Sequence, residues 1–132
     1  MADNSASEGS LGTIRGAAIW APDGRKLAEF YAAVVGVTVG NAYSDEDGSE
    51  VAFPVPVGDS TYFFITAKSF KAPDWPAQEL PFHLDLTFGD VKAAEKRLLE
   101  LGATKPEFQP GGGRWTVLLD PSGQPFCITQ TR

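Results

Sequence analysis

The stretch FHLDLTFGDVKAAEKRLLELGA, residues 82–103, predicts a strand that leads directly into a capped helix. Its first seven residues are mostly apolar, aromatic or β-branched, as is typical of strands. Asp90 can accept hydrogen bonds from the amide groups that have no partner in the first turn of a helix. Helical spacing then relates Ala94, Leu98 and Leu101. Gly102 fits the left-handed residue that ends many helices.

The first half of the chain repeats this order. A strand is predicted in IRGAAIWAP, residues 14–22, and Asp23 can cap the helix that follows it. Aligning Asp23 with Asp90 places VVGVT opposite ELGAT and FFIT opposite FCIT. We interpret this agreement as a duplicated module.

Three strands are predicted after each helix, at 37–43, 51–57 and 61–67 in the first half and at 103–109, 114–120 and 126–130 in the second. The predicted fold class is α+β: two tandem βαβββ modules form a curved, mostly antiparallel sheet trough with the helices on its outer face. The predicted parts of this one globular domain are a flexible tail at 1–12, a first module at 13–68, a proline-broken connector at 69–81 and a second module at 82–132.

Composition excludes several classes of function. The net charge of −6 argues against nucleic-acid binding, and no apolar run approaches the ~18 residues of a membrane span. The N-terminal sequence MADNSASEGSLG lacks the features of a signal peptide, so we expect a cytoplasmic protein. The single cysteine, Cys127, excludes an internal disulfide and a thiolate-rich zinc site. The acidic charge fits either solubility or attraction of a cationic small molecule.

The stretches APDGRKLAEFYAAVVG, FHLDLTFGDVKAAEKRLLELGA and DPSGQPFCI resemble the vicinal oxygen chelate superfamily, also called the glyoxalase/bleomycin-resistance fold. The second half is similar to its actinobacterial glyoxalase-like branch. The resemblance covers most of residues 14–130 and implies a homodimer with pockets at or near the subunit boundary. The superfamily includes isomerases, epimerases, dioxygenases, thiol transferases and antibiotic-binding proteins, so function must be argued from the site.

The same resemblance implies four metal-ligand positions, which fall on Gly16, Phe64, His83 and Cys127. Glycine and phenylalanine have no ligating group. His83 and Cys127, with Asp85 as a possible third ligand, make a poor site for a divalent ion. We therefore expect no metal and no cofactor.

Strand alternation predicts which side chains line the trough. The predicted ligand-binding residues are Trp20, Tyr62, Phe64, His83, Asp85, Trp115 and Cys127, with Arg114 as the alternative to Trp115. Phe82, Leu84 and Leu86 are predicted to pack outward against a helix. The aromatic rings suit a planar ligand, and His83 and Asp85 can fix its orientation. Three alternatives stay open. The aromatic residues are part of the core, His83 is a semi-buried histidine with its hydrogen bonds satisfied, or Cys127 is a small buried apolar residue.

Three functions follow from this lining. The preferred one is a metal-free protein that binds and sequesters a small aromatic natural product or antibiotic, giving self-resistance. The alternative is a glyoxalase-like lyase, isomerase or dioxygenase that uses His83 with or without a divalent metal. The third is a structural or regulatory dimer with a vestigial pocket.

Overall fold

The computed structural model describes residues 9–132, so residues 1–8 of the predicted tail lie outside the described residues. The elements are β1 (Ala18–Ala21), α1 (Gly24–Val35), β2 (Tyr43–Ser44), β3 (Glu50–Val57), β4 (Ser60–Thr66), β5 (Leu84–Phe88), α2 (Val91–Glu100), β6 (Thr116–Leu119) and β7 (Pro125–Gln130). These two helices and seven strands confirm the α+β class. The chain divides into two compact units, Met1–Lys68 and Ser69–Arg132. Neither described helix has the length and apolar character that crossing a bilayer requires.

The first unit holds a four-stranded mixed sheet in the order β1-β4-β3-β2. Strand β1 runs parallel to β4, whereas the β3 contacts are antiparallel. Helix α1 begins where predicted, because the Asp23 carboxylate accepts a hydrogen bond from the Lys26 amide at 3.1 Å. It ends at Gly36, whose φ of +76° is the left-handed conformation that glycine adopts without a steric penalty.

The core of the first unit lies between α1 and one face of this sheet. Tyr31 of α1 stacks on Phe64 of β4 with ring centroids 5.3 Å apart and planes 15° from parallel. Other buried side chains on these elements are Ala21, Leu27, Ala28, Phe30, Ala32, Phe53 and Val55. Burying each large apolar side chain contributes about 1.5–3 kcal/mol, so this face decides the stability of the unit.

The second unit repeats the arrangement with three strands in the order β5-β7-β6. Strand β5 is parallel to β7, and β6 is antiparallel to it. Asp90 caps α2 by accepting from the Ala93 amide at 3.1 Å, as the sequence predicts. The buried apolar side chains of this unit are Leu98, Ala103, Val117, Leu118, Phe126 and Ile128.

The strand predicted at residues 103–109 is wrong. Only Thr104 makes a strand-like bridge, to Leu119. Pro106 has no amide hydrogen to donate to a ladder. The side chain of Gln109 takes the place of the missing strand: its amide oxygen accepts from the Val117 amide at 2.9 Å, and its nitrogen donates to the Val117 carbonyl at 2.8 Å. The fourth strand of the second module is thereby replaced by one side chain.

Candidate functional site

In the first unit, one sheet face packs on α1 and the other does not. We call the second the helix-free face and define it by strand register. Tyr43 pairs with Ala52, Ala52 with Ile65, and Ile65 with Trp20, so these four side chains form one row across the sheet. The adjacent row consists of Pro54, Phe63 and Ala18.

The helix-free face is aromatic and accessible. Trp20 is 49% exposed and Tyr43 is 55% exposed, although both are large apolar side chains. The Tyr43 and Phe63 rings lie 5.8 Å apart, tilted by 58°. The Arg15 guanidinium lies 5.2 Å from the centre of the Phe63 ring. This surface offers flat rings for stacking and a positive charge beside them.

The predicted inward register of Tyr62 and Phe64 is wrong. Since Trp20 pairs with Ile65, its face carries the odd-numbered residues of β4. Phe64 is on the opposite face, only 1% exposed and stacked on Tyr31. Tyr62 shares that opposite face, because it lies two residues from Phe64 along the same strand. Phe63 therefore replaces both in the row next to Trp20.

The error comes from aligning the two halves one residue out of step. Ala18 and Asp85 both lie five residues before their cap aspartates. Ala18 pairs with Phe63, and Asp85 pairs with Cys127. The structural counterpart of Cys127 is thus Phe63, and not Phe64 as the alignment of FFIT with FCIT predicted.

A second contact gives the same correspondence. The Thr66 hydroxyl accepts a hydrogen bond from the Gly24 amide at 2.8 Å, at the start of α1. The Gln130 side chain accepts from the Val91 amide at 3.0 Å, at the start of α2. Thr66 therefore corresponds to Gln130, the residue after Thr129. A polar side chain that reaches the first helical amide is the sequence signal that would have set this alignment.

Gly16 occupies a position that no other residue can share without a shift of the backbone. Its φ is +156°, and a Cβ atom added there would overlap the carbonyl oxygen of Thr61. The Thr61 amide is held nearby by a 2.9 Å hydrogen bond to the Arg15 carbonyl. The segment just before β1 therefore has no room for a ligating side chain at this position.

The predicted face of the second unit is confirmed for β5 and β7. Leu84 and Leu86 pair with the buried Phe126 and Ile128 on one face. Asp85 pairs with Cys127 on the other face. Phe82 is an exception: it precedes β5 and is 88% exposed, so the prediction that it packs on a helix is wrong.

His83, Asp85 and Cys127 come together on the second unit. The His83 Nε2 atom lies 3.0 Å from an Asp85 carboxylate oxygen, and both side chains are largely exposed. One ligand atom of each of the three residues lies within 4.8 Å of the others. An exposed pair of this kind adds little stability, but the carboxylate orients the imidazole and selects its tautomer.

Cys127 is unsuited to act as a nucleophile. Partial burial raises the pKa of its thiol above the ordinary value, and the negative charge of Asp85 raises the pKa further. The thiol is therefore protonated at neutral pH, and the thiolate is the reactive form. This geometry supports acid–base or hydrogen-bonding roles for His83 and Asp85 rather than covalent chemistry at Cys127.

Replacing Asp85 with asparagine tests this electrostatic coupling. Removal of the negative charge favours the thiolate, so the pH midpoint of Cys127 alkylation by iodoacetamide is expected to move to lower pH. At a fixed pH below that midpoint the Asp85→Asn protein reacts faster than the parent. Asp74→Asn removes an equal charge elsewhere in the unit and is expected to leave the midpoint unchanged. Unchanged reactivity in Asp85→Asn would contradict the coupling.

The four metal-ligand positions that the resemblance implies do not fit this chain. In the first unit, Gly16 has no side chain, and neither Phe64 nor its neighbour Phe63, which is the structural counterpart of Cys127, has a ligating atom. The other two positions, His83 and Cys127, lie with Asp85 in the second unit. Zn²⁺ binds such ligands at about 2.0–2.3 Å, which brings them within about 4 Å of one another. The ligand atoms of the three groups lie within 4.8 Å of one another, so their side chains would have to move slightly closer together to hold an ion.

Trp115 lies just before β6 rather than within it. A Cβ atom at Gly111 would come within 2.9 Å of two ring carbons of Trp115, so the ring lies against the Gly111 backbone. The Arg114 guanidinium lies 4.9 Å from the centre of the same ring. Trp115 and Arg114, the two alternatives predicted for the ligand-binding position before β6, therefore contact each other. Trp115 is half-buried and Arg114 is exposed.

Known proteins share this architecture. The family described as a glyoxalase-like domain matches residues 16–129. A glyoxalase family protein from Enterococcus faecalis has a TM-score of 0.67 and 21% identity, over 88% of this chain and 95% of that one. No curated protein matches the chain significantly.

Two further solved structures are named for antibiotics. TnmS3, an antibiotic binding protein from Streptomyces sp. CB03234, has 23% identity and a TM-score of 0.56, over 92% of this chain and 98% of that one. A mutant of the fosfomycin resistance protein FosX from Listeria monocytogenes, complexed with Mn(II) and a dihydroxypropylphosphonic acid, has 13% identity and a TM-score of 0.67. That match covers 92% of this chain and 94% of that one. At these identities the likeness shows the fold alone.

Proposed function

Because the chain belongs to the glyoxalase-like domain family of the vicinal oxygen chelate superfamily, we propose that it binds a small aromatic natural product or antibiotic without a metal. The proposed role is resistance by sequestration. The observation that carries it is the aromatic helix-free face of the first unit, where Trp20, Tyr43 and Phe63 lie on the side of the sheet away from α1.

The dimensions of this face suit a planar molecule. Neighbouring strands lie about 4.8 Å apart, so the row from Tyr43 to Trp20 spans roughly 14 Å. Ala52 and Ile65 form its floor, and Ala52 leaves room because its side chain is small. Each stacked aromatic pair adds about 0.5–1.5 kcal/mol beyond the burial of apolar area. A ligand of two or three fused rings fits between the aromatic ends of the row.

The second unit offers polar contacts of its own. His83 and Asp85 expose an imidazole and a carboxylate, which can donate to and accept from polar groups of a ligand. Cys127 and Trp115 are proposed as further ligand contacts on this unit. The protein is also proposed to be a cytoplasmic homodimer.

Sequestration makes a quantitative demand. A protein that protects by stoichiometric binding needs a dissociation constant near the nanomolar range, which corresponds to about 12 kcal/mol. The name of TnmS3, an antibiotic binding protein, supports this choice. The name of FosX supports a role in antibiotic resistance but not the absence of a metal, because that structure holds Mn(II).

The Trp20→Ala variant tests the proposal. Trp20 is half exposed, so its removal is expected to lower the melting temperature by only a few degrees. Affinity for a planar aromatic ligand that quenches the parent's tryptophan fluorescence is expected to fall about tenfold, because a stacking surface is lost. Calorimetric titration measures the affinity without depending on the deleted fluorophore.

Trp75→Ala is the matched control. Trp75 contacts Phe108 in the second unit, with ring centroids 5.6 Å apart, and lies outside the helix-free face. Its replacement is expected to leave ligand affinity unchanged. An equal loss of affinity and stability in Trp20→Ala would show that Trp20 is core. No quenching by any of a panel of aromatic natural products would favour the structural dimer with a vestigial pocket.

A metal-dependent enzyme is the second candidate, favoured by the proximity of His83, Asp85 and Cys127. Titration with cobalt(II) separates the two functions, since a coordinating thiol is deprotonated and gives a charge-transfer absorption band. One equivalent of cobalt with a band lost in Cys127→Ala would support the enzyme. Ligand binding that is unaffected by a chelator supports the metal-free binder.

A further inference from the structure

Arg15 is the charged group of the helix-free face. Its backbone carbonyl is anchored to β4 by the Thr61 amide at 2.9 Å, and its guanidinium lies over Phe63 at 5.2 Å. The side chain is exposed. The aromatic surface is thus bordered by a cation whose position is set by a strand contact and by a ring.

Arg15 differs from Arg25 and Arg97 in its partners. Arg25 also lies over a ring, Phe53 at 4.7 Å, but pairs with Glu50 at 2.6 Å. Arg97 pairs with Glu100 at 3.4 Å. Within residues 9–132, Arg15 makes no ion pair with a carboxylate. Its guanidinium keeps N–H groups available for an anion, in a chain whose net charge is −6.

We propose that the ligand of the helix-free face is an aromatic anion, a planar ring system carrying a carboxylate or comparable acidic group, and that Arg15 determines this specificity. The ring system stacks on Tyr43 or Trp20, since the Arg15 guanidinium lies over the Phe63 ring. The acidic group accepts two parallel N–H hydrogen bonds from Arg15, a geometry that the guanidinium presents ready-made. This inference rests on the proposed function and deepens it.

The local charge outweighs the net charge here. The overall acidity of the chain favours cationic ligands at long range, but exposed charges beyond about 8–10 Å are screened at physiological salt. An acidic group placed beside the Phe63 ring is in direct contact with Arg15, where a charge-assisted hydrogen bond is strongest. The contact therefore selects an anion although the chain carries a net charge of −6.

The test uses three probes that share one ring system: 2-naphthoate, neutral 2-naphthalenemethanol and cationic 2-naphthylmethylammonium. Calorimetric titration of the full chain is expected to give affinities for the anion about five- to tenfold above those for the neutral probe. In Arg15→Gln the anion and the neutral probe are expected to agree within about twofold. Arg15→Lys retains part of the preference, because a point charge lacks the bidentate geometry.

Arg25→Gln is the matched control, since it removes the same charge and the same kind of ring contact from the opposite face of the same sheet. The preference for the anion is expected to persist in it and to shrink in high salt. Equal binding of anion and neutral probe by the parent would overturn the role of Arg15 but leave the aromatic site standing. Failure of all three probes to bind would overturn both the specificity and the proposed function.

Discussion

Replacement of Gly16 by alanine is expected to lower the free energy of unfolding by about 3 kcal/mol or more. The added Cβ would overlap the Thr61 carbonyl oxygen, and the backbone at φ +156° is one that residues with side chains rarely adopt. Relief would require β1 to move away from β4, which breaks the parallel ladder that begins at Ala18. Urea unfolding followed by circular dichroism measures the change.

Gly48→Ala in the same unit separates the two causes. Gly48 has φ +81°, but a Cβ added there would meet no atom within 4 Å. Its replacement is expected to cost about 1–2 kcal/mol, the penalty of the left-handed conformation alone. If Gly16→Ala lowers the free energy of unfolding no more than Gly48→Ala does, Gly16 does not lie as close to Thr61 as the structure places it.

The Gly16 contact also limits how this chain could have used a metal. A histidine introduced at this position would carry the same Cβ clash as alanine. The absence of a ligating side chain at residue 16 is therefore built into the backbone path as well as into the residue type. This supports a binding role that depends on rings and hydrogen bonds rather than on a coordinated ion.

Replacement by alanine is expected to lower mainly stability at Phe64 and mainly ligand affinity at Phe63. Phe64 is 1% exposed and stacks on Tyr31, so Phe64→Ala leaves a cavity and is expected to cost about 3–5 kcal/mol. Phe63 is partly exposed on the helix-free face. Phe63→Ala is expected to cost less than about 1.5 kcal/mol, while weakening the binding of planar aromatic ligands about tenfold.

Each variant is the control of the other, because they remove the same ring from adjacent residues. Urea unfolding gives the stability, and titration with the naphthalene probes gives the affinity. A larger stability loss in Phe63→Ala, with the affinity loss in Phe64→Ala, would restore the face assignment predicted from the sequence alone.

Local signals decided the correct part of the sequence prediction. The Asp23 and Asp90 caps, the helical spacing behind them and Gly36 act within one or two turns, so they are visible in a short window. Alternation along the predicted strand likewise placed His83, just before β5, on the same face as Asp85 without knowledge of the strand's partner. These signals were sufficient for the α+β class, the duplication and the polar cluster of the second unit.

The tertiary structure decided everything that depends on which residue lies opposite which. Ala18 pairs with Phe63 across a parallel ladder whose strands are separated by a helix and two strands, and a shift of one residue moves every side chain to the other face. The predicted strand at 103–109 failed for a related reason, since Gln109 satisfies Val117 from outside a ladder. The contact of Arg15 with Phe63 depends on the same pairing. Long-range register follows from the packing of whole elements. A local pattern therefore divides the side chains of a strand between two faces but cannot say which face packs on the helix.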